Sequence, residues 1–155
     1  MSIIFPKLTS SNKLIMRRFT WILAFLLFVL PLSTFAQVLK PIHISTSTKD
    51  LGNGTFLLSV DFKIDPPFHV YSQKPGNDDV LPTTLKFKAS SDYELIGALQ
   101  EVGNLKNEND PNFGMALRYF ENKLSLQQKV KLKKPKVTIS ADLEYMTCDD
   151  HQCLP

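Results

Sequence analysis

The sequence predicts an all-β protein, an antiparallel sandwich of short strands, and three observations carry that expectation. Apolar and polar residues alternate over residues 55–64 and again over 137–145, the period-two signature of half-buried strands. Turn-forming Pro, Gly, Asn and Asp separate such runs along the chain. Beyond residue 36 no stretch has a convincing helical period. About seven short strands with turn signals between them point to an immunoglobulin-like antiparallel β-sandwich.

The domain so described spans residues 37–155 and follows an expected cleaved signal peptide over residues 1–36. Arg17 and Arg18 precede an apolar run, residues 21–30, and Thr34 and Ala36 stand as the small residues of a cleavage site; charged, apolar and small-residue parts in that order make a secretory signal. The apolar run is about ten residues, short of the roughly 20 a spanning helix needs, though an uncleaved anchor is the other reading. No cysteine follows it to suggest a lipoprotein, and Met16, just ahead of the arginines, is a second candidate start. The leader takes Lys7, Lys13, Arg17 and Arg18 with it and no acids, which leaves 14 bases against 15 acids. The +3 charge of the whole chain therefore belongs to the leader and gives no support to nucleic-acid binding. Export to the periplasm places the domain where disulfides form and persist.

Taken in order, residues 41–46 form a first strand, paired across an Asn53-Gly54 turn with the strand at 55–64. In the second of these Phe56, Leu58, Val60, Phe62 and Ile64 share one face. Pro66-Pro67 ends it, and residues 68–72 read as a short strand. Residues 74–82 form a loop; 83–88 and 93–97 are further strands. Residues 103–114, polar and rich in Asn, are expected as a long connection, with Phe113 its one exposed aromatic. Connections of that length are usually functional or disordered. The strand at 123–133 places Leu124, Leu126, Val130 and Leu132 inward, with Gln128 an unexplained polar member. In the last strand Val137, Ile139, Ala141, Leu143 and Tyr145 alternate with Thr138, Ser140, Asp142 and Glu144.

Both cysteines, Cys148 and Cys153, follow that strand with four residues between them. Three readings are open. As a structural staple, a bridge over so short a loop stabilises by about 2 kcal/mol in the loop-entropy account, whereas sandwich bridges more often join distant strands; the protein would then be a non-enzymatic exported binding or adhesion module. As a metal site, Cys148, His151 and Cys153 with Asp149 or Asp150 lack the second ligand pair that zinc motifs bring from elsewhere. As a redox switch, a tight and exposed bridge is of the labile kind. Protonated His151 favours a thiolate there, while Asp149 and Asp150 oppose it.

The stretch Tyr145-Met146-Thr147-Cys148-Asp149-Asp150-His151-Gln152-Cys153-Leu154-Pro155 resembles the cysteine region of the periplasmic N-terminal domain of the thiol:disulfide interchange protein DsbD family. Residues 68–72, 93–97 and the loop ahead of Tyr119-Phe120 agree with it in order, so the resemblance covers roughly residues 39–155. It implies an immunoglobulin-like fold and a protein-disulfide reductase activity with no cofactor, no metal and no small-molecule substrate. Electrons come from a thioredoxin-like domain of a membrane thiol reductase. They pass to periplasmic thioredoxin-fold proteins such as disulfide isomerases and cytochrome c maturation thioredoxins. By the same resemblance Cys153 attacks the partner's disulfide and Cys148 resolves the mixed disulfide. Phe113, near Asp110, matches an aromatic cap over the pair, with Tyr119 as the alternative, and Tyr71 and His69 match aromatic positions beside the site. Two departures stand out. Some relatives have five residues between the cysteines, and the membrane segment and thioredoxin-like domain are absent. The sequence is therefore expected either to be cut from a longer protein tethered through a membrane region or to work with a separate membrane reductase.

Overall fold

The computed structural model describes residues 39–154. The expected signal peptide over residues 1–36 lies outside the described residues, as does Pro155. Among the described residues every regular element is a strand, and no helix is long and apolar enough to cross a membrane. The strands are β1 (Ile42–Gly52), β2 (Thr55–Ile64), β3 (His69–Tyr71), β4 (Thr84–Phe87), β5 (Tyr93–Asp110), β6 (Met115–Leu132), β7 (Ala141–Glu144), β8 (Thr147–Cys148) and β9 (Cys153–Leu154).

β1 and β2 form the expected hairpin, from Ile42 opposite Ile64 to Gly52 opposite Thr55. Asn53 and Gly54 turn it with φ of 53° and 71°, the left-handed pair that a two-residue hairpin needs and that Asn-Gly adopts at little cost. β6 is the central strand. One edge pairs with β2 through residues 123–131 and with β3 through 119–121, while the other pairs with β5. β3 in turn pairs with β8, and β8 with β9. β4 and β7 make a separate two-stranded sheet. All these pairings are antiparallel, so the described domain is the immunoglobulin-like sandwich that the alternation predicts.

The core follows the alternation. Phe62, Ile64, Phe68, Val70, Phe120, Leu124 and Leu126 are buried together. Leu85 of β4 and Leu143 of β7 pack against them, which joins the small sheet to the large one. A second buried cluster, Tyr71, Val80, Leu117, Tyr119 and Cys148, carries the core toward the cysteines.

Residues 103–114 correct the sequence reading. They are not a long connection: β5 runs on to Asp110, β6 begins at Met115 rather than near 123, and only residues 111–114 turn between them. β5 lies at an edge, with β6 its partner and most of its side chains exposed. Without a buried face it has no apolar period to betray it. Backbone pairing with β6 holds it in place, and that leaves no mark in side-chain pattern.

Gln128, unexplained by pattern, has a structural task. The β5–β6 ladder skips between Ile96 and Gln100, and buried Gln128 donates from Nε2 to the Ile96 carbonyl at 3.1 Å and the Gly97 carbonyl at 3.4 Å. Gln128→Leu keeps the volume and removes the donor. The expected loss is about 1–3 kcal/mol of unfolding free energy, read by chemical denaturation. An unchanged midpoint would mean that water serves those carbonyls equally well.

Candidate functional site

The cysteines sit on the smallest hairpin of the domain. The Asp149 N–H donates to the Gln152 carbonyl at 2.9 Å, so these two face each other as a hydrogen-bonded pair around an Asp150-His151 turn. Cys148 and Cys153 are the next pair outward and lie directly opposite. Alternation makes theirs a non-hydrogen-bonded pair, the kind in which antiparallel backbones come closest. Their Cα atoms are 4.1 Å apart and their sulfurs are joined in a disulfide. The Asp149 carboxylate ties the turn, accepting from the backbone N–H groups of His151 and Gln152, each at 2.8 Å. The His151 N–H holds the Asp149 carboxyl below the usual carboxylate range against the opposing effect of burial, and Gln152 adds to it.

The two sulfur-bearing residues differ sharply in exposure. Cys148 is 0% exposed, inside the cluster of Tyr71, Val80, Leu117 and Tyr119, whereas Cys153 is exposed. Met146 and Phe113 pack against that cluster from outside. Phe113 belongs to the 111–114 turn and meets the Tyr71 ring edge-on, with centroids 6.0 Å apart. Tyr119, the alternative cap, lies within β6 opposite Tyr71 and forms part of the floor.

Beneath the turn is a buried polar group. Asp110 closes β5 and is 1% exposed. Its Oδ2 accepts from the Tyr71 hydroxyl at 2.6 Å and from His69 Nε2 at 3.1 Å, and its Oδ1 accepts from the Asn112 N–H at 2.9 Å. His69 stands opposite Cys148 in the β3–β8 ladder, and Thr147 donates its hydroxyl to the His69 carbonyl at 2.7 Å. The site thus gathers Cys148, Cys153, Phe113, Asp110, Tyr71 and His69 from five elements. His151 is exposed at the turn, where its backbone N–H is engaged by Asp149. With the sulfurs bonded to each other, the metal reading has no thiolate ligands in this state.

Sequence reasoning missed Asn112, whose side chain donates to the Asp149 carbonyl at 2.6 Å, together with Val80, Leu117 and the turn-tying role of Asp149. The only trace of Asn112 in the sequence is its place in Asp110-Pro111-Asn112-Phe113-Gly114, a run of turn formers. Nothing local marks which backbone its side chain will meet.

Burial holds the His69 pKa below its ordinary value, although Asp110 foremost, then Glu121 and Asp150, favour the charged ring. The unfolded chain therefore takes up a proton near pH 6.5 that the folded chain still refuses. Stability contributed by neutral His69 is full above that pH and falls as acid is added. His69→Gln is expected to flatten the dependence of unfolding free energy on pH below about 6.5, measured by urea denaturation at closely spaced pH. An unaltered slope would place the acid sensitivity elsewhere.

Residues 36–155 match the family described as thiol:disulfide interchange protein DsbD, N-terminal. No curated protein matches the chain. The family match takes in every described strand and the disulfide hairpin. This chain belongs to the DsbD N-terminal family, that of the thiol:disulfide interchange proteins.

Proposed function

We propose that the domain is exported by its N-terminal leader and works in the periplasm as a protein-disulfide reductase domain, relaying electrons through Cys148 and Cys153. The observation that carries this reading is the unequal exposure of a bonded pair: Cys153 is exposed, and Cys148 is buried in the cluster against which Phe113 packs. Such an inequality suits thiol–disulfide exchange, because access decides which sulfur meets the partner. In the reduced domain the Cys153 thiolate attacks a sulfur of the partner's disulfide, and the partner's second sulfur leaves as a thiolate. Cys148 then attacks Cys153, forming the Cys148–Cys153 bond and releasing the partner with two thiols. The reverse sequence, driven by a reduced thioredoxin-like domain of a membrane reductase, returns the pair to thiols. Two electrons move in each direction and no cofactor takes part.

The partners suited to this chemistry are thioredoxin-fold proteins: the reductase domain as donor, and disulfide isomerases or cytochrome c maturation thioredoxins as acceptors. Phe113 shields the buried side of the pair from small oxidants and thiols. Asp110, Tyr71 and His69 fix the turn that carries it.

Three outcomes are expected. Reduced thioredoxin should open the bridge at equilibrium while the circular dichroism of the folded domain persists; a bridge that opens only in denaturant would favour a structural staple in a binding module. Cys148→Ser should accumulate a mixed disulfide through Cys153, identified by mass spectrometry, because the resolving thiol is gone. Trapping only in Cys153→Ser would reverse the roles. Phe113→Ala should speed alkylation of the reduced thiols by iodoacetamide several-fold, and an unchanged rate would remove Phe113 from the site.

A further inference from the structure

The turn that carries Phe113 is shaped by one set of bonds and held against the cysteine hairpin by another. The shaping set is internal to the β5–β6 hairpin: Phe113 and Gly114 donate backbone N–H groups to the Asp110 carbonyl at 3.3 and 2.7 Å, and Asn112 donates its own to the Asp110 carboxylate. None of these reaches the cysteines. Among the described residues, the one hydrogen bond from residues 111–114 to the 148–153 hairpin runs from Asn112 Nδ2 to the Asp149 carbonyl, at 2.6 Å.

That carbonyl is free for a reason visible in the turn. A two-residue hairpin ordinarily sends the N–H of its closing residue back to the carbonyl of its opening residue. Here the Gln152 N–H is taken instead by the Asp149 carboxylate. The Asp149 carbonyl, one peptide past Cys148, is left to accept from outside the hairpin, and Asn112 supplies the donor. Asp149 therefore serves three ends at once: its side chain ties the turn, its N–H closes the hairpin, and its carbonyl receives the loop.

We propose that Asn112 is a positioning residue, a latch whose bond to the Asp149 carbonyl holds the Phe113 turn closed over the Cys148–Cys153 pair and sets how readily the pair is reached. The proposal rests on the exchange reading of the cysteines given above. The latch is a single neutral hydrogen bond from an exposed side chain, so a docking partner can break it. Its net worth corresponds to about a three- to tenfold change in the open fraction of the turn.

The test replaces Asn112 by its isostere. Asn112→Asp keeps the shape but, ionised, has no proton to donate and faces the carbonyl with like partial charge. A small neutral phosphine, tris(hydroxypropyl)phosphine, should reduce the disulfide of this variant about three- to tenfold faster than that of wild type at pH 7. As pH falls below about 4 the introduced carboxyl gains a proton it can donate, and the ratio of variant to wild-type rate should return toward one. Asn112→Ala should stay fast at every pH. A merely structural role for Asn112 would not give the isostere a pH-dependent ratio that the alanine variant lacks.

An Asn112→Asp ratio of one throughout overturns the latch. If Phe113→Ala is then still fast, the covering role of Phe113 stands and only the latch falls. If the phosphine opens none of these bridges in folded protein, the exchange reading fails, and the latch is decided separately by NMR of the wild type. One Asn112 side-chain amide proton should exchange slowly with solvent and show coupling across a hydrogen bond to the Asp149 carbonyl carbon. Fast exchange and no coupling would overturn it there as well.

Discussion

A buried carboxylate with no lysine or arginine beside it holds this site together. Asp110 is out of water, and the ring it faces, His69 at 3.1 Å, is held toward its neutral form by burial. A polar group in that position is tolerable only when its hydrogen-bonding capacity is met. A tyrosine hydroxyl, a histidine ring and a backbone N–H meet it. Those three donors come from β3 and from the 111–114 turn, so neither can shift without exposing the carboxylate to an unmet need. Burial and hydrogen bonding to Asp110 likewise hold the Tyr71 hydroxyl far above its ordinary pKa, as a donor at any working pH.

The rest of the site inherits that rigidity. β3 lies between β6 and β8, so the strand that supplies His69 and Tyr71 is also the strand against which Cys148 is laid down. The β5–β6 hairpin delivers its turn to the same place. Because β6 is paired along both edges, the position of Phe113 is set by backbone register as well as by its own contacts. The disulfide runs across the β8–β9 hairpin at a pair that shares no backbone hydrogen bonds of its own. Opening it leaves the Asp149–Gln152 bond and the β3–β8 ladder available to keep the two residues near each other.

How much of this the sequence disclosed depended on which force placed each part. Strands with a buried face announced themselves: Phe62 and Ile64 of β2, and Leu124, Leu126 and Val130 of β6, are inside as their alternation requires. The Asn53-Gly54 turn was legible because only a few residue types tolerate its dihedrals. The far half of β5 was not, since a strand held by its backbone at an edge needs no apolar face, and residues 103–110 read as a polar loop. In the site, the cysteines were found by their scarcity, and Asp110, Phe113, His69 and Tyr71 through the family resemblance. Asn112 and Gln128 escaped because each is defined by a carbonyl distant in sequence that its amide satisfies. Long-range side-chain-to-backbone bonds leave no periodic trace.

The β5–β6 hairpin also constrains how the domain can vary. Residues on a strand face alternate sides, so one residue added to the run between Leu105 and Asp110, the last uninterrupted stretch of that ladder, would turn Asp110 outward and leave Tyr71 and His69 without their acceptor. Two residues would restore the facing while lengthening the arm. Length changes in this arm should therefore survive in even steps, or with a compensating bulge, as long as the four-residue turn beyond it still lays Phe113 against Tyr71 and Asn112 against the Asp149 carbonyl.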